Sequence, residues 1–311
     1  MKERIYEILT QNNITNEQKE LLPITTGAGG ANVFTVADKY VVKYINLSTL
    51  NAGTRKQYQK EFDFYRIDAN KKIDFIPEII FQATDDDEII IVMKKYIPIK
   101  TEEWDVNLQT AAAEICAKIN ALNIVDYIKI IQNPEADNGN IKDEDPHPLS
   151  LSYQNWTNLQ KKFPGNIDAT LLEEMYNNYK NKIDTSKFNI PETLKHGDFH
   201  PQNFLKNGEK LIICDWQGVC MGKGIGDIAF FISRGTDMGL KINRDKLISD
   251  YNEALIQHTN IETSLTDLHK TVAANEFGVS FKFWAEYLQD ADINKVLNIY
   301  TKMVESYTKL R

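Results

Sequence analysis

The sequence predicts an α+β chain in two lobes: an N-terminal antiparallel sheet with one main helix, then a larger, mostly helical C-terminal lobe. Three observations predict it. Between Leu21 and Met93, short runs rich in β-branched residues alternate with turn residues and are interrupted by one helical segment. From Leu108 onward, apolar residues recur mostly at helical spacing. With 311 residues, 42% hydrophobic and 26% charged, the chain is long enough to bury about three-quarters of its unfolded surface. The run Met93 to Pro98 leaves the strands and ends at a proline, a natural hinge. The expected domains are therefore residues 1–97 and 98–311.

Residues 1 to about 20 are polar with apolar spots at Ile5, Ile8, Leu9 and Ile14, a short helix leaning on the first lobe. Strand, glycine loop, strand, turn and strand follow: Leu21 to Thr26, Gly27 to Asn32, Val33 to Val36, Asp38-Lys39, and Tyr40 to Ile45. Glycines at 27, 29 and 30, with Asn32 beside them, let backbone amides close on phosphate with no Cβ in the way. A P-loop would need Gly-Lys-Ser/Thr, and a dinucleotide fingerprint would open a helix; neither occurs. A hairpin lid over a nucleotide and a plain glycine-rich turn both remain. Lys43 stands alone in an apolar strand, where a lysine either snorkels to solvent or finds a partner. The helical segment from about Thr54 to Asp68 offers Glu61, on a face near Tyr58, Phe62 and Tyr65. Two more strands, Pro77 to Phe81 and Glu88 to Met93, flank the acidic turn Thr84 to Asp87.

In the second lobe, Leu108 to about Leu122 reads as a core helix, and Asn133 to Ser150, rich in Pro, Asp and Glu, as a loop or insertion. Helical patterns resume from Tyr153 to Asn181 and from Lys246 to the end. Between them, Leu194 to Ile232 gathers acidic, amide and imidazole groups between two apolar runs. Asn207-Gly208, flanked by Phe204-Leu205 and Leu211 to Cys214, signals a tight hairpin. Folding back there brings Asp215 close to Asn203. Two hard oxygen ligands then face one point, which suits Mg²⁺ held jointly with phosphate oxygens, and Asp198 is left to orient an attacking hydroxyl. Gly-Asp-x-His turns also hold dinuclear hydrolase sites, but these need further histidines, and His147, His258 and His269 form no second cluster.

The segment His196-Gly197-Asp198-Phe199-His200-Pro201-Gln202-Asn203 resembles the HGDxHxxN loop of the aminoglycoside phosphotransferase and choline kinase superfamily, which is protein-kinase-like in fold. Asp215-Trp216-Gln217, with Gly224 to Phe231 behind it, is similar in motif to the ecdysteroid-kinase-like small-molecule kinases. The glycine loop, Lys43 and Glu61 extend the likeness over most of the chain. The resemblance implies an ATP-dependent, Mg²⁺-using phosphotransferase that moves the γ-phosphoryl group to a hydroxyl of a small molecule. It implies Asp198 as the base, Asn203 and Asp215 as metal ligands, and Lys43, fixed by Glu61, against the α- and β-phosphates under Gly27, Gly29, Gly30 and Asn32. The hinge backbone at Met93 and Lys95 would hold the adenine edge. His196 would brace the loop, His200 would touch phosphate or pack on Trp216, and Asp227 would tie the loop down. Gln217 departs from relatives that carry an acid there, so the likeness does not extend to a second metal site.

A formal net charge of -8 disfavours a general role on nucleic acid. No stretch approaches the roughly 20 apolar residues of a membrane span, and Met1-Lys2-Glu3-Arg4 leads into no signal-like run, so a cytoplasmic monomer or homodimer is expected. Cys116, Cys214 and Cys220 show no Cys-x-x-Cys pairing, which suggests neither disulfide nor zinc. For the acceptor, Phe277, Phe281, Trp284 and Tyr287 with Glu276 and Glu286 suit a quaternary ammonium, although the same spacing is that of a core helix. A nucleotide-binding pseudokinase or regulatory ATP-binding protein is the main alternative, and the retained Lys43, Asp198, Asn203 and Asp215 argue against it. No Asp-Phe-Gly to Ala-Pro-Glu segment offers a peptide platform.

Overall fold

The structure, a computed structural model, describes residues 1–15, 20–24, 30–71, 73–131 and 147–311. Gly27, Gly29 and most of the expected 133–150 loop lie outside the described residues. Helix α1 (Lys2–Gln11) buries Ile5, Ile8 and Leu9 against one face of an antiparallel sheet. That sheet is ordered β1-β2-β3-β5-β4, from β1 (Leu22–Pro23), β2 (Asn32–Val36), β3 (Tyr40–Asn46), β4 (Ile79–Thr84) and β5 (Glu88–Lys94). Alternation along the strands decides what each face meets. Val42, Tyr44, Ile90 and Val92 join α1. Ile45, Ile89, Ile91 and Met93 face the other way, onto helix α2 (Ala52–Lys71) with Tyr58, Phe62, Phe64 and Tyr65. Lys43 has the parity of Val41 and Ile45, so it points at α2.

The chain does not simply exit at the hinge. Strand β6 (Ile97–Pro98) pairs with Phe204–Asn207, the first strand of the hairpin that returns along Lys210–Ile213, making a second, three-stranded sheet. Helices α3 (Val106–Asn120), α4 (Ile128–Ile131), α5 (Leu149–Lys162) and α6 (Ala169–Ile183) lead to β7 (Glu192–Lys195), and the hairpin β8 (Phe204–Asn207) and β9 (Lys210–Ile213) follows. Asn207 pairs with Lys210, so the two turn residues are Gly208 and Glu209, one later than the Asn-Gly dipeptide suggests. Gly208 takes φ 63° at the first central position, where a primed turn needs glycine. Strand β10 (Cys220–Lys223) then pairs antiparallel with β7, a ladder the sequence did not signal.

Helices α7 (Ile225–Asp237), α8 (Arg244–Thr259), α9 (Leu265–Gly278), α10 (Trp284–Tyr287) and α11 (Ile293–Lys309) complete the lobe. Side chains of Asp105, Asp168, Asn243, Ser264 and Asp292 accept from first-turn amides and fix where α3, α6, α8, α9 and α11 begin. One apolar core runs from α2 and β5 through the hairpin to α3, α7 and α8; a second joins α5, α6, α9 and α11. Helix α9 continues through a π turn, Val279–Phe283, into α10. The Trp156 indole N–H donates to the Phe281 carbonyl at 2.9 Å and the Ser152 hydroxyl to that of Lys282 at 3.2 Å, which satisfies acceptors at the turn. As a result Phe277 and Phe281 are buried in the second core, whereas Phe283 and Tyr287 stand 41% and 55% exposed. The expected four-residue aromatic stripe is thus split between core and surface. Among the described residues, no helix is long and apolar enough to cross a membrane.

Candidate active site

The hairpin does what its sequence required. The Cys214 amide donates to the Asn203 carbonyl at 3.0 Å, so Asp215 emerges beside Asn203. Asp215 has φ 69° and ψ 64°, left-handed values that cost a non-glycine residue about 1–2 kcal/mol. The loop before it is packed backbone to backbone. A Cβ on Gly197, whose φ is +80°, would lie 2.0 Å from the Gly218 carbonyl oxygen, so both chains approach only because side chains are absent. His196 is fully buried: its Nε2 lies 3.0 Å from the Cys214 carbonyl, and its Nδ1 accepts from the Asp198 amide at 3.2 Å. Burial holds the ring down to about 4, so it is neutral and serves as a brace. Asp227, on the first turn of α7, accepts from the His196 and Gly197 amides at 2.7 and 3.1 Å. Burial pushes its carboxyl up to about 6 against those bonds.

Lys43 meets both lobes. Its ammonium lies 2.7 Å from Glu61 Oε2 and 3.0 Å from Asp215 Oδ1, two charge-assisted contacts. Burial pulls this lysine down, but the two carboxylates outweigh it and hold it above its ordinary range. Glu61 is only 1% exposed, and its burial pushes the carboxyl up, against the pull of Lys43. Helix α2 is fastened a second time where Phe64 stacks on Trp216 at 3.8 Å between centroids. The Trp216 ring also meets His196 at 4.6 Å, whereas His200 faces Phe230 at 5.9 Å and Asp198 Oδ2 at 3.5 Å. His200 therefore does not pack on Trp216.

The hydrogen bonds choose which oxygens are left open. Asn203 Nδ2 donates to the Asp198 carbonyl at 2.8 Å and to Asp198 Oδ2 at 3.1 Å, leaving Asn203 Oδ1 and Asp198 Oδ1 without a donor among the described residues. Gln217 Nε2 and Lys43 both donate to Asp215 Oδ1, at 2.7 and 3.0 Å, which leaves Asp215 Oδ2 open in the same sense. Burial raises the Asp198 carboxyl, but His200 and Asn203 outweigh that and lower it, so it is ionised. Among the described residues no group of three His, Cys, Asp or Glu side chains could hold a metal by itself. The open oxygens of Asn203 and Asp215 fit Mg²⁺ only as a share of its shell, the usual arrangement when phosphates supply the rest. Of the other expected contacts, Gly30 has φ 79° and Asn32 is exposed at the start of β2. Met93 is buried in the sheet. The Lys95 amide donates to the Lys39 carbonyl at 2.7 Å and its side chain pairs with Asp38, so neither its N–H nor its ammonium is free.

Asp198 and His200 open on a cavity of about 560 Å³ walled by α7 and by the helix around the π turn. Phe230, Phe283, Trp284 and Tyr287 supply its aromatic surface. The profile of the APH family, described as the phosphotransferase enzyme family, matches residues 20–255. The chain belongs to this family.

No curated protein matches the sequence of this phosphotransferase-family chain. Its fold matches solved structures along their whole lengths. Choline kinase from Cryptosporidium parvum Iowa II superposes with a TM-score of 0.60 at 12% identity, over 100% of this chain and 96% of that one. Choline kinase LicA from Streptococcus pneumoniae gives 0.55 at 14% identity, over 99% of each. The ADP-bound aminoglycoside phosphotransferase APH(2'')-Ib gives 0.56 at 17%, over 99% and 98%. These likenesses establish the bilobal kinase-like fold. Within it, the residues that sequence reading missed are Phe230, Ser233, Arg234 and Phe283. The first three, with Gly226 and Asp237, follow one face of α7 at helical spacing, a periodic signal that a short motif such as Gly224 to Phe231 does not carry.

Proposed function

We propose that this chain is an ATP-dependent phosphotransferase that moves the γ-phosphoryl group to a hydroxyl of a small molecule. The observation that carries the reading is the trio of open oxygens, Asp198 Oδ1, Asn203 Oδ1 and Asp215 Oδ2, beside an ammonium fixed by two carboxylates. In this reading residues 1–97 bind the nucleotide and residues 98–311 supply the acceptor site. Gly27, Gly29, Gly30 and Asn32 cover the phosphates, and the hinge around Met93 to Tyr96 holds the adenine edge through groups other than the Lys95 N–H. Asn203 and Asp215 hold Mg²⁺ together with phosphate oxygens, and the ion supplies charge neutralisation on the transferring group.

Lys43 keeps its charge and points it at the phosphates, with Glu61 preventing its retreat. Asp198 accepts the acceptor's hydroxyl proton on Oδ1 while Asn203 and His200 hold Oδ2. As that proton leaves, the acceptor oxygen bonds to the γ-phosphorus and the bond to the bridging β–γ oxygen breaks, giving a phosphate monoester and ADP. His196 and Asp227 fix the loop and take no proton.

Asp198→Asn should lower turnover by about 10²- to 10⁴-fold with MgATP binding retained, because a positioned base contributes that much. Asp215→Ala should instead weaken nucleotide binding only when Mg²⁺ is present. Calorimetry of MgATP binding and nucleotide consumption with a panel of hydroxylated metabolites separate the two. Tight MgATP binding with no acceptor turned over, identical in wild type and Asp198→Asn, would make the protein a nucleotide-binding regulator.

A further inference from the structure

The charges around the acceptor cavity are unevenly balanced. Of its acids other than Asp198, Asp237 is paired with Lys302 at 3.0 Å, and Glu276 is held through both oxygens by Arg244 at 3.3 and 3.2 Å. Glu286 pairs with His147 at 3.1 Å. The acids that favoured a cationic acceptor are thus already engaged. Arg234, on the same wall, is half-buried, and its guanidinium has no hydrogen bond, ion pair or ring contact among the described residues. Lys195 is placed similarly. Its Nζ lies 3.5 Å from where a Cβ on Gly226 would sit; it makes no hydrogen bond or ion pair among the described residues, although its charge acts on the buried Asp227 carboxylate. Gly226 lines both this cavity and the adjoining one of about 970 Å³. A cavity-lining guanidinium with no protein acceptor among the described residues is available to an oxyanion, and its planar fork matches carboxylate or phosphate.

We propose that the phosphoryl acceptor is itself an anion: a hydroxylated molecule with an apolar or aromatic body, whose carboxylate or phosphate seats on Arg234. Lys195 adds positive potential at the mouth shared with the larger cavity. This rests on the phosphotransferase reading and names its substrate class. The spacing is set by α7. Asp227 ties the catalytic loop to the first turn, and Arg234 lies about two turns further, on the order of 10 Å along the axis. Asp198 and Arg234 line the same cavity, with Phe230, Trp284 and Tyr287 among its walls, so one acceptor can present its hydroxyl to the first and its oxyanion to the second.

The test uses matched probes, titrated calorimetrically into the full chain without nucleotide: para-hydroxymethylbenzoate, its amide, para-hydroxymethylbenzylamine and para-hydroxymethylphenyl phosphate. The carboxylate or the phosphate should bind roughly ten- to a hundred-fold more tightly than the amide and the amine, the advantage of a charge-assisted contact. Whichever anion is tighter identifies the group. Arg234→Gln should erase the preference and Arg234→Lys should keep part of it. Because the Arg234 guanidinium makes no hydrogen bond, ion pair or ring contact among the described residues, a melting temperature within about 2 °C of wild type is expected for both variants. Equal binding of all probes, tightest binding of the amine, a preference that survives Arg234→Gln, or no anion binding at about 1 mM would each overturn the proposal. Phosphorylation of the same probes with MgATP is read separately: anion binding without any turnover would count against the phosphotransfer reading and leave the anion site standing.

Discussion

The two ends of the site are built on opposite principles. At the phosphate end, Lys43, Glu61, Asp215, Gln217, Asp198 and Asn203 fix one another through hydrogen bonds and ion pairs and leave open Asp198 Oδ1, Asn203 Oδ1 and Asp215 Oδ2, while Lys43 and Asp215, 172 residues apart in the chain, are joined by the lysine ammonium. At the acceptor end the acids are neutralised from outside by Lys302 and Arg244, while Arg234 is left open among aromatic rings. The contrast teaches what each end has to do. A site for a constant group, phosphate with its metal, profits from a rigid network that holds its few open oxygens in place and needs no reorganisation. A site for a particular acceptor needs unfilled groups, because only those discriminate between ligands.

The contrast is most severely tested by loosening the rigid end. Gly197→Ala places a Cβ 2.0 Å from the Gly218 oxygen at a φ of +80°, and should cost on the order of 3 kcal/mol in chemical denaturation, with activity falling alongside. Gly208→Ala, at φ +63° with nothing within 4 Å, is the control and should cost only about 1 kcal/mol. Comparable losses for the two would mean that the backbone contact is not what holds the loop.

A titration addresses the same rigidity. His196 is held down to about 4 from 6.5 by burial, so its contribution to stability is complete above pH 6.5 and is lost as pH falls toward 4. Urea unfolding of wild type and His196→Gln at several pH values should show the wild-type advantage shrinking by up to about 3 kcal/mol across that window. Asp227, raised to about 6, acts in the opposite sense in both proteins and cancels in the difference. A difference that stays constant with pH would contradict a neutral, buried ring. The smallest effect is expected at the open end. Lys302→Ala frees the Asp237 carboxylate and should change stability by less than about 1 kcal/mol, since the pair is partly exposed at 32% and 27%. It should nonetheless weaken any anionic acceptor that Arg234 binds, which the matched probes would read.

Much of this was legible in the sequence, and the reason differs from one element to the next. Lys43 and Glu61 were readable as partners through the resemblance, which places them in order between the glycine loop and the catalytic loop, and strand parity in the structure turns Lys43 toward the helix that carries Glu61. The meeting of Asn203 and Asp215 followed from a two-residue turn, a local event. The exact turn residues shifted by one, because register is settled by pairing along both strands and not by the dipeptide. The aromatic residues near the C-terminus misled for another reason. A π turn rotates everything after it, and its carbonyls at Phe281 and Lys282 are satisfied by Trp156 and Ser152 on a different helix. No local pattern announces that.

What the sequence determined by itself was the two-lobed order of elements, the loop from His196 to Asn203, and Lys43 with Glu61 as its candidate partner. Periodicity, turn chemistry and the scarcity of charge inside apolar strands are properties of neighbouring residues. What only the tertiary structure decided was which charges are already cancelled: that Lys302 and Arg244 reach Asp237 and Glu276, and that nothing among the described residues reaches Arg234. Cancellation is a matter of distance in space between side chains on separate helices, and the order of residues along the chain does not fix it.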